Sequence, residues 1–142
     1  MAPMPEGFEP HVRKSPLTDP WEPLYAKKTP DRVVLGLSVA PPHTNSRGML
    51  HGGLIAALAD NAMGLSCGQA LARDGVQASG LVTVSLALDY MGKAGIGDWL
   101  EFDTDFVRTG RSLCFTGATV TAGGAPIARA HATFRVHTSS SS

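Results

Sequence analysis

Residues 32–40 place Val33, Leu35, Leu37 and Val39 on one side and Val34, Gly36 and Ser38 on the other, the two-residue period of a strand. Pro41 and Pro42 cannot donate to a ladder and stop it. From Gly53 to about Ala72 the period lengthens to Leu54, Ile55, Leu58, Ala62 and Leu65, which predicts a helix of about 28 Å. It is apolar nearly all round, and Asp60 is its only charge between Leu54 and Ala72. Such a helix is expected to be covered on most sides.

The second half alternates throughout. Residues 81–90 set Val82, Val84, Leu86, Leu88 and Tyr90 against Thr83, Ser85, Ala87 and Asp89, and residues 99–108 set Leu100, Phe102 and Phe106 against Glu101, Asp103 and Asp105. Thr109-Gly110 turns the chain into residues 113–121, and Gly123-Gly124 marks a hairpin before residues 127–136. In that last strand Ala128, Ala130, Ala132, Phe134 and Val136 oppose Arg129, His131, Thr133 and Arg135. Short turns imply antiparallel neighbours. The order of one strand, one long helix and four strands therefore predicts an α+β domain, a curved antiparallel β-sheet wrapped around one long central α-helix. We place this domain at residues 32–138, after a Pro-rich N-terminal arm (1–31) and before a Ser-rich tail (139–142).

Composition narrows the function. Lys plus Arg equals Asp plus Glu at 12 each, so no net basic field draws nucleic acid or an anionic membrane, and an anionic ligand must be held by local charges. The first 30 residues hold seven of the ten prolines and no apolar signal-peptide core, and no stretch is long and apolar enough to span a membrane. Cys67 and Cys114 make neither a disulfide framework nor a four-ligand zinc site; cytoplasm is the expected compartment, and no metal or other cofactor is expected.

The chemistry concentrates in Asn45-Ser46-Arg47-Gly48-Met49-Leu50-His51-Gly52-Gly53 and in Asp60, two helical turns beyond Gly52. Gly52 and Gly53 at a helix start leave backbone N–H groups uncovered, and with the helix dipole these favour negative charge such as an oxyanion. Asp60 shares its face with Gly53, Ala56, Ala57, Gly64 and Cys67, all small, so the carboxylate would open onto a narrow crevice. Each residue also has a plainer reading. Asp60 would be a buried carboxylate held by hydrogen bonds, Gly52-Gly53 a close packing contact, His51 an anchor for its loop, and Asn45 a cap on its own turn.

Asn45-x-x-Gly48-x-x-His51-Gly52-Gly53 followed by Leu58-Ala59-Asp60 resembles the signature of hotdog-fold thioesterases, in the subgroup of the phenylacetate-pathway and 4-hydroxybenzoyl-coenzyme A enzymes. The likeness continues through Val82-Thr83-Val84, Tyr90-Met91 and Arg108-Thr109-Gly110-Arg111, and covers roughly residues 32–136. It implies a hotdog fold and hydrolysis of an acyl-coenzyme A thioester, aryl or medium-chain. In that resemblance Gly52 offers its N–H to the thioester oxygen, Asn45 assists there, and His51 shapes the loop. Asp60 acts as general base or nucleophile, and Thr83 orients the carboxylate or the water. The family shares each site between two subunits, which implies a homodimer and a dimer of dimers, with Asp60 and Thr83 facing the partner's Asn45 and Gly52.

Lys93, Arg108, Arg111 and Arg135 are candidates for the coenzyme A phosphates, and Gly53, Met63, Leu65 and Tyr90 for contact with the rest of the substrate. Thioester hydrolysis needs only a base for water and donors for the developing oxyanion, not a metal. A non-catalytic acyl-coenzyme A binder would not need Asp60, and a hotdog dehydratase or hydratase pairs its carboxylate with a histidine in another arrangement. Gly64-Leu65-Ser66-Cys67-Gly68 matches the GxSxG elbow of α/β-hydrolases, but such an elbow needs a strand before the serine, and Ser66 falls inside the helical pattern. Cys67 on that helix reads as a small core residue.

Overall fold

The computed structural model describes residues 4–138, so the serine tail 139–142 lies outside the described residues. In chain order its elements are β1 (Glu9–Pro10), β2 (Tyr25–Lys28), β3 (Val33–Ser38), α1 (Gly52–Arg73), β4 (Ala78–Tyr90), β5 (Trp99–Thr109), β6 (Leu113–Ala122) and β7 (Ala125–Thr138). All strand pairs are antiparallel and form one sheet in the order β1-β2-β3-β5-β6-β7-β4.

The helix and strands β3 to β7 are those the periodicity predicts. The sheet curls around α1, and Leu54, Ile55, Leu58 and Met63 pack against Leu37, Phe102, Val120 and Phe134 in one core. Each such side chain removed from water contributes about 1.5–3 kcal/mol. A polar clamp lies inside this core. The fully buried Ser66 Oγ accepts from the Val33 N–H at 3.0 Å and donates to the Val33 carbonyl at 3.1 Å, tying α1 to β3. Ser66 is thus a helix-to-sheet tie within α1, not a nucleophile on an elbow.

Four features differ from the sequence reading. The Pro-rich arm adds β1 and β2 to the sheet. Tyr-Ala-Lys-Lys carries no apolar alternation, and the arm is held instead by Phe8, which packs with Val34 and Trp99 on the outer face. Gly36 permits this approach, because a Cβ there would lie 2.5 Å from Trp99 Cζ2 and 2.9 Å from Phe8 Cε1.

The helix is not covered on most sides. Its Ala56, Asp60, Asn61, Gly64, Leu65, Gly68 and Gln69 face stays partly open, since the curled sheet leaves a gap between its two edges.

Bulges also interrupt the predicted alternation. An extra residue between Thr83 and Ser85 puts Thr83 opposite the buried Phe134 and Leu86 opposite the buried Ala132, while Val82 stands opposite the exposed Arg135. Thr83, Leu86, Leu88 and Tyr90 therefore share the inner face, and Val82, Ser85, Ala87 and Asp89 the outer. A second bulge between Asp103 and Phe106 turns Phe106 outward, where it is 51% exposed instead of joining Leu100 and Phe102 inside.

Finally, Cys67 of α1 and Cys114 of β6, both fully buried, are joined as a disulfide. Cys67 lies in the core as expected, and its pairing with Cys114 corrects the expectation that the two cysteines make no disulfide framework.

Candidate active site

The gap between the sheet edges is a cavity of about 930 Å³. Its floor is the open face of α1 from Asp60 through Gly64 and Gly68 to Ala72; one wall is the start of β4 and the other is the arm at residues 7–15. That volume suits a small-molecule ligand. Two of the predicted catalytic residues meet there. Thr83 Oγ1 donates to Asp60 Oδ1 at 2.7 Å, near the short range of bonds to an ionised acceptor. The β4 bulge brings Thr83 to this position, since strict alternation would share its face with Ser85 and Ala87.

The remaining predicted residues gather at the start of α1. His51 caps the helix, its Nδ1 accepting from the Gly53 N–H at 2.8 Å, which leaves the ring proton on Nε2. A Cβ at Gly53 would lie 2.9 Å from the folded-back His51 ring, so a side chain there would push the cap aside. Among the described residues no acceptor engages the Gly52 N–H, so it remains available as a donor. The Gly52 carbonyl accepts from Tyr90 Oη at 2.7 Å, which pins the helix start to the end of β4.

Asn45 takes the capping role considered for it. Its Oδ1 accepts from the Arg47 N–H at 2.9 Å and the Met49 N–H at 3.2 Å. Both partners are backbone donors, so the side-chain oxygen is held inside the turn, and among the described residues Nδ2 has no hydrogen-bond acceptor. The loop is further secured by His43, 2% exposed, which bridges the Ala40 N–H and the Trp21 carbonyl and whose own carbonyl accepts from the His51 N–H. The sequence reading did not single out His43. A lone histidine after two prolines carries no periodic signal.

The two groups of residues are separated within one chain. Asp60 lies eight residues beyond Gly52 on the same helix, about 12 Å along its axis. Asn45, His51, Gly52, Gly53 and Tyr90 do not line the Asp60 cavity, and neither do Lys93, Arg108, Arg111 or Arg135, which are exposed elsewhere. Met63 does not line it either. At 0% exposure Met63 points into the core, one helical step away from the open face, whereas its neighbour Leu65 does line the cavity. Conversely, His11, Arg13 and Lys14 of the arm reach the cavity, which periodicity could not show because only the fold brings the arm there. Burial is the main influence on His11 and holds its pKa below the ordinary 6.5, against the opposing effects of the Glu22 carboxylate and the Arg13 backbone. Among the described residues no group of three His, Cys, Asp or Glu side chains is placed to hold a metal ion, and no helix is long and apolar enough to cross a membrane.

One helix held in a curled antiparallel sheet is the hotdog architecture. The chain belongs to the thioesterase superfamily, whose family profile matches residues 47–127, and it is by class a thioester hydrolase. It is 37% identical over 134 residues to a Pseudomonas aeruginosa protein named as an esterase, covering 94% of this chain and 97% of that one. It is 33% identical over 94 residues to human acyl-coenzyme A thioesterase 13, covering 65% of this chain and 62% of that protein. Among solved structures, a hypothetical thioesterase protein of Streptococcus pneumoniae with coenzyme A superposes with a TM-score of 0.72 at 25% identity, over 83% of this chain and 91% of that one.

Proposed function

We propose that the protein hydrolyses acyl-coenzyme A thioesters, aryl or medium-chain, to the free acid and coenzyme A. The observation that carries this reading is the Thr83–Asp60 hydrogen bond at the edge of a ligand-sized cavity. Asp60 takes the proton of an attacking water or attacks the carbonyl carbon itself, and Thr83 holds the carboxylate in the orientation that either route needs. Charge develops on the thioester oxygen as the tetrahedral intermediate forms. The Gly52 N–H, with Asn45 Nδ2, stabilises that charge. On the first route the thiolate of coenzyme A leaves with the proton that Asp60 took from water. On the second it leaves an acyl–Asp60 anhydride, which a water then hydrolyses to the free acid while its proton goes to the thiolate. The relatives' names for coenzyme A thioesters favour this substrate class. No step calls for a metal.

Base and oxyanion donors must reach one carbonyl group within hydrogen-bond distance, yet Asp60 and Gly52 of one chain lie about 12 Å apart along α1. We therefore place each site between two chains, Asp60 and Thr83 from one and Asn45 and Gly52 from the other. The thirteen-residue edge strand β4 favours this arrangement, because its outer edge is unpaired and Val82, Val84, Leu86 and Tyr90 are all exposed. Exposed Phe106, Leu113 and Phe115 on β5 and β6 favour a second contact that pairs two dimers.

Complementation tests the base and the shared site together. Asp60→Asn and Gly52→Pro should each lower kcat by roughly 10²-fold or more, the first by removing the base and the second by removing the donor. Refolded together at equal amounts, half the dimers are mixed and each mixed dimer has one intact site, so about a quarter of wild-type turnover should return. Wild-type turnover in Asp60→Asn would refute the base assignment, and absence of recovery in the mixture would refute the shared site.

A further inference from the structure

The cavity at Asp60 has a charge pattern that hydrolysis alone does not explain. The chain has no net charge, yet the arm side of the cavity collects Arg13, Lys14 and Lys28 against the single carboxylate of Glu9. Arg13, Lys14 and Lys28 enter no ion pair among the described residues, and all three are exposed. All three belong to the N-terminal arm, Arg13 and Lys14 on the segment between β1 and β2 and Lys28 at the end of β2. Their placement follows from specific contacts. Phe8 anchors β1 over Trp99, the His11 N–H donates to the Leu24 carbonyl at 2.9 Å, and Gln69 Nε2 donates to the Thr29 carbonyl at 2.9 Å, holding the β2–β3 turn beside α1. The arm is therefore a fixed wall of the cavity.

We propose that this wall is an anion subsite for the thioester substrate, in which Arg13 and Lys14, with Lys28, hold a negatively charged part of the molecule while its carbonyl lies at Asp60. The inference rests on the thioesterase reading above and deepens it. The neutral floor of Gly64, Gly68 and Ala72 lets a slender chain run along α1, and the cations set which chains are bound well. Two parts of an acyl-coenzyme A carry suitable charge: the phosphates of coenzyme A, and a carboxylate at the far end of the acyl group. The arm selects for negative charge in either case. It does so through KM, because these side chains are not needed at the reacting carbon.

The test uses the full chain with both charges reversed, Arg13→Glu/Lys14→Glu, against three thioesters. Octanoyl-coenzyme A carries phosphates, octanoyl-N-acetylcysteamine carries no charge, and ω-carboxyoctanoyl-N-acetylcysteamine carries only the distal carboxylate. Exposed ion pairs are individually weak, so the expected loss in kcat/KM on the recognised anion, relative to the uncharged thioester, is about 3- to 30-fold. A loss confined to octanoyl-coenzyme A assigns the subsite to the phosphates, and one confined to the ω-carboxy thioester assigns it to the acyl end. Equal losses on all three, or none, overturn the proposal. Titration calorimetry with coenzyme A and with octanedioate on both proteins repeats the comparison without turnover. A wild type that hydrolyses none of the thioesters would refute the medium-chain reading of the proposed substrate, while the two dissociation constants would still decide the anion subsite. Unchanged binding of both probes would overturn it.

Discussion

Replacing Thr83 with Val tests whether the hydroxyl beside Asp60 does chemical work. Valine keeps the β-branched shape that suits β4 and exchanges only the hydroxyl for a methyl group. What is lost is one 2.7 Å bond from Thr83 Oγ1 to Asp60 Oδ1. A hydrogen bond to an ionised group is worth about 1.5–3 kcal/mol. Thr83 is exposed and Asp60 half-buried, so water replaces part of the interaction and the loss falls toward about 1.5 kcal/mol. Since about 1.4 kcal/mol is tenfold in rate, kcat should drop roughly 10-fold, rising toward 100-fold where a partner chain excludes water from the site. KM should change far less, because the bond orients the reacting group and does not hold the substrate. Initial rates of thiol release across a substrate series give both parameters, with Asp60→Asn as the floor for contaminating activity. Thr83→Ser, which restores the donor, should recover most of the rate. Wild-type kcat in Thr83→Val, or equal damage in Thr83→Ser, would mean that the hydroxyl plays no part in turnover.

Two further outcomes are expected. Burial lowers the pKa of His11, so the folded chain takes up its proton less readily than the unfolded chain does. The stability this contributes is complete above the ordinary value of 6.5 and is lost as pH falls through it toward the lower folded value. The melting temperature should therefore fall between about pH 7.5 and about pH 5, and His11→Phe should flatten that fall; an unchanged slope would exclude His11 as the titrating group. Turnover should also survive exhaustive chelation, since the mechanism uses only a carboxylate, a hydroxyl and amide donors. Activity that chelation abolished and a divalent ion restored would refute a metal-free route.

The helix, strands β3 to β7 and the antiparallel pairing of neighbours joined by short turns were legible in the sequence because periodicity reports which face of an element is buried and short turns report the direction of the next strand. Asp60 and the Gly52-Gly53 helix start were legible for a related reason. A lone charge in an apolar helix and uncovered N–H groups at its start are costly features without a use. Periodicity carries no information on where one residue is inserted into a strand. Only the fold showed the bulge after Thr83 that turns its hydroxyl to Asp60, or the one before Phe106 that sends that ring outward. The same limit hid the arm. Its Pro-rich sequence has no period, and β1 and β2 form because Phe8 finds Trp99 across the bare backbone of Gly36, a contact between residues far apart in sequence. Which basic residues face the cavity was likewise a tertiary matter, since a charge at the surface costs little anywhere. The curl of the sheet, not the local sequence, put Arg13 and Lys14 beside Asp60's cavity and left Arg108 and Arg135 elsewhere.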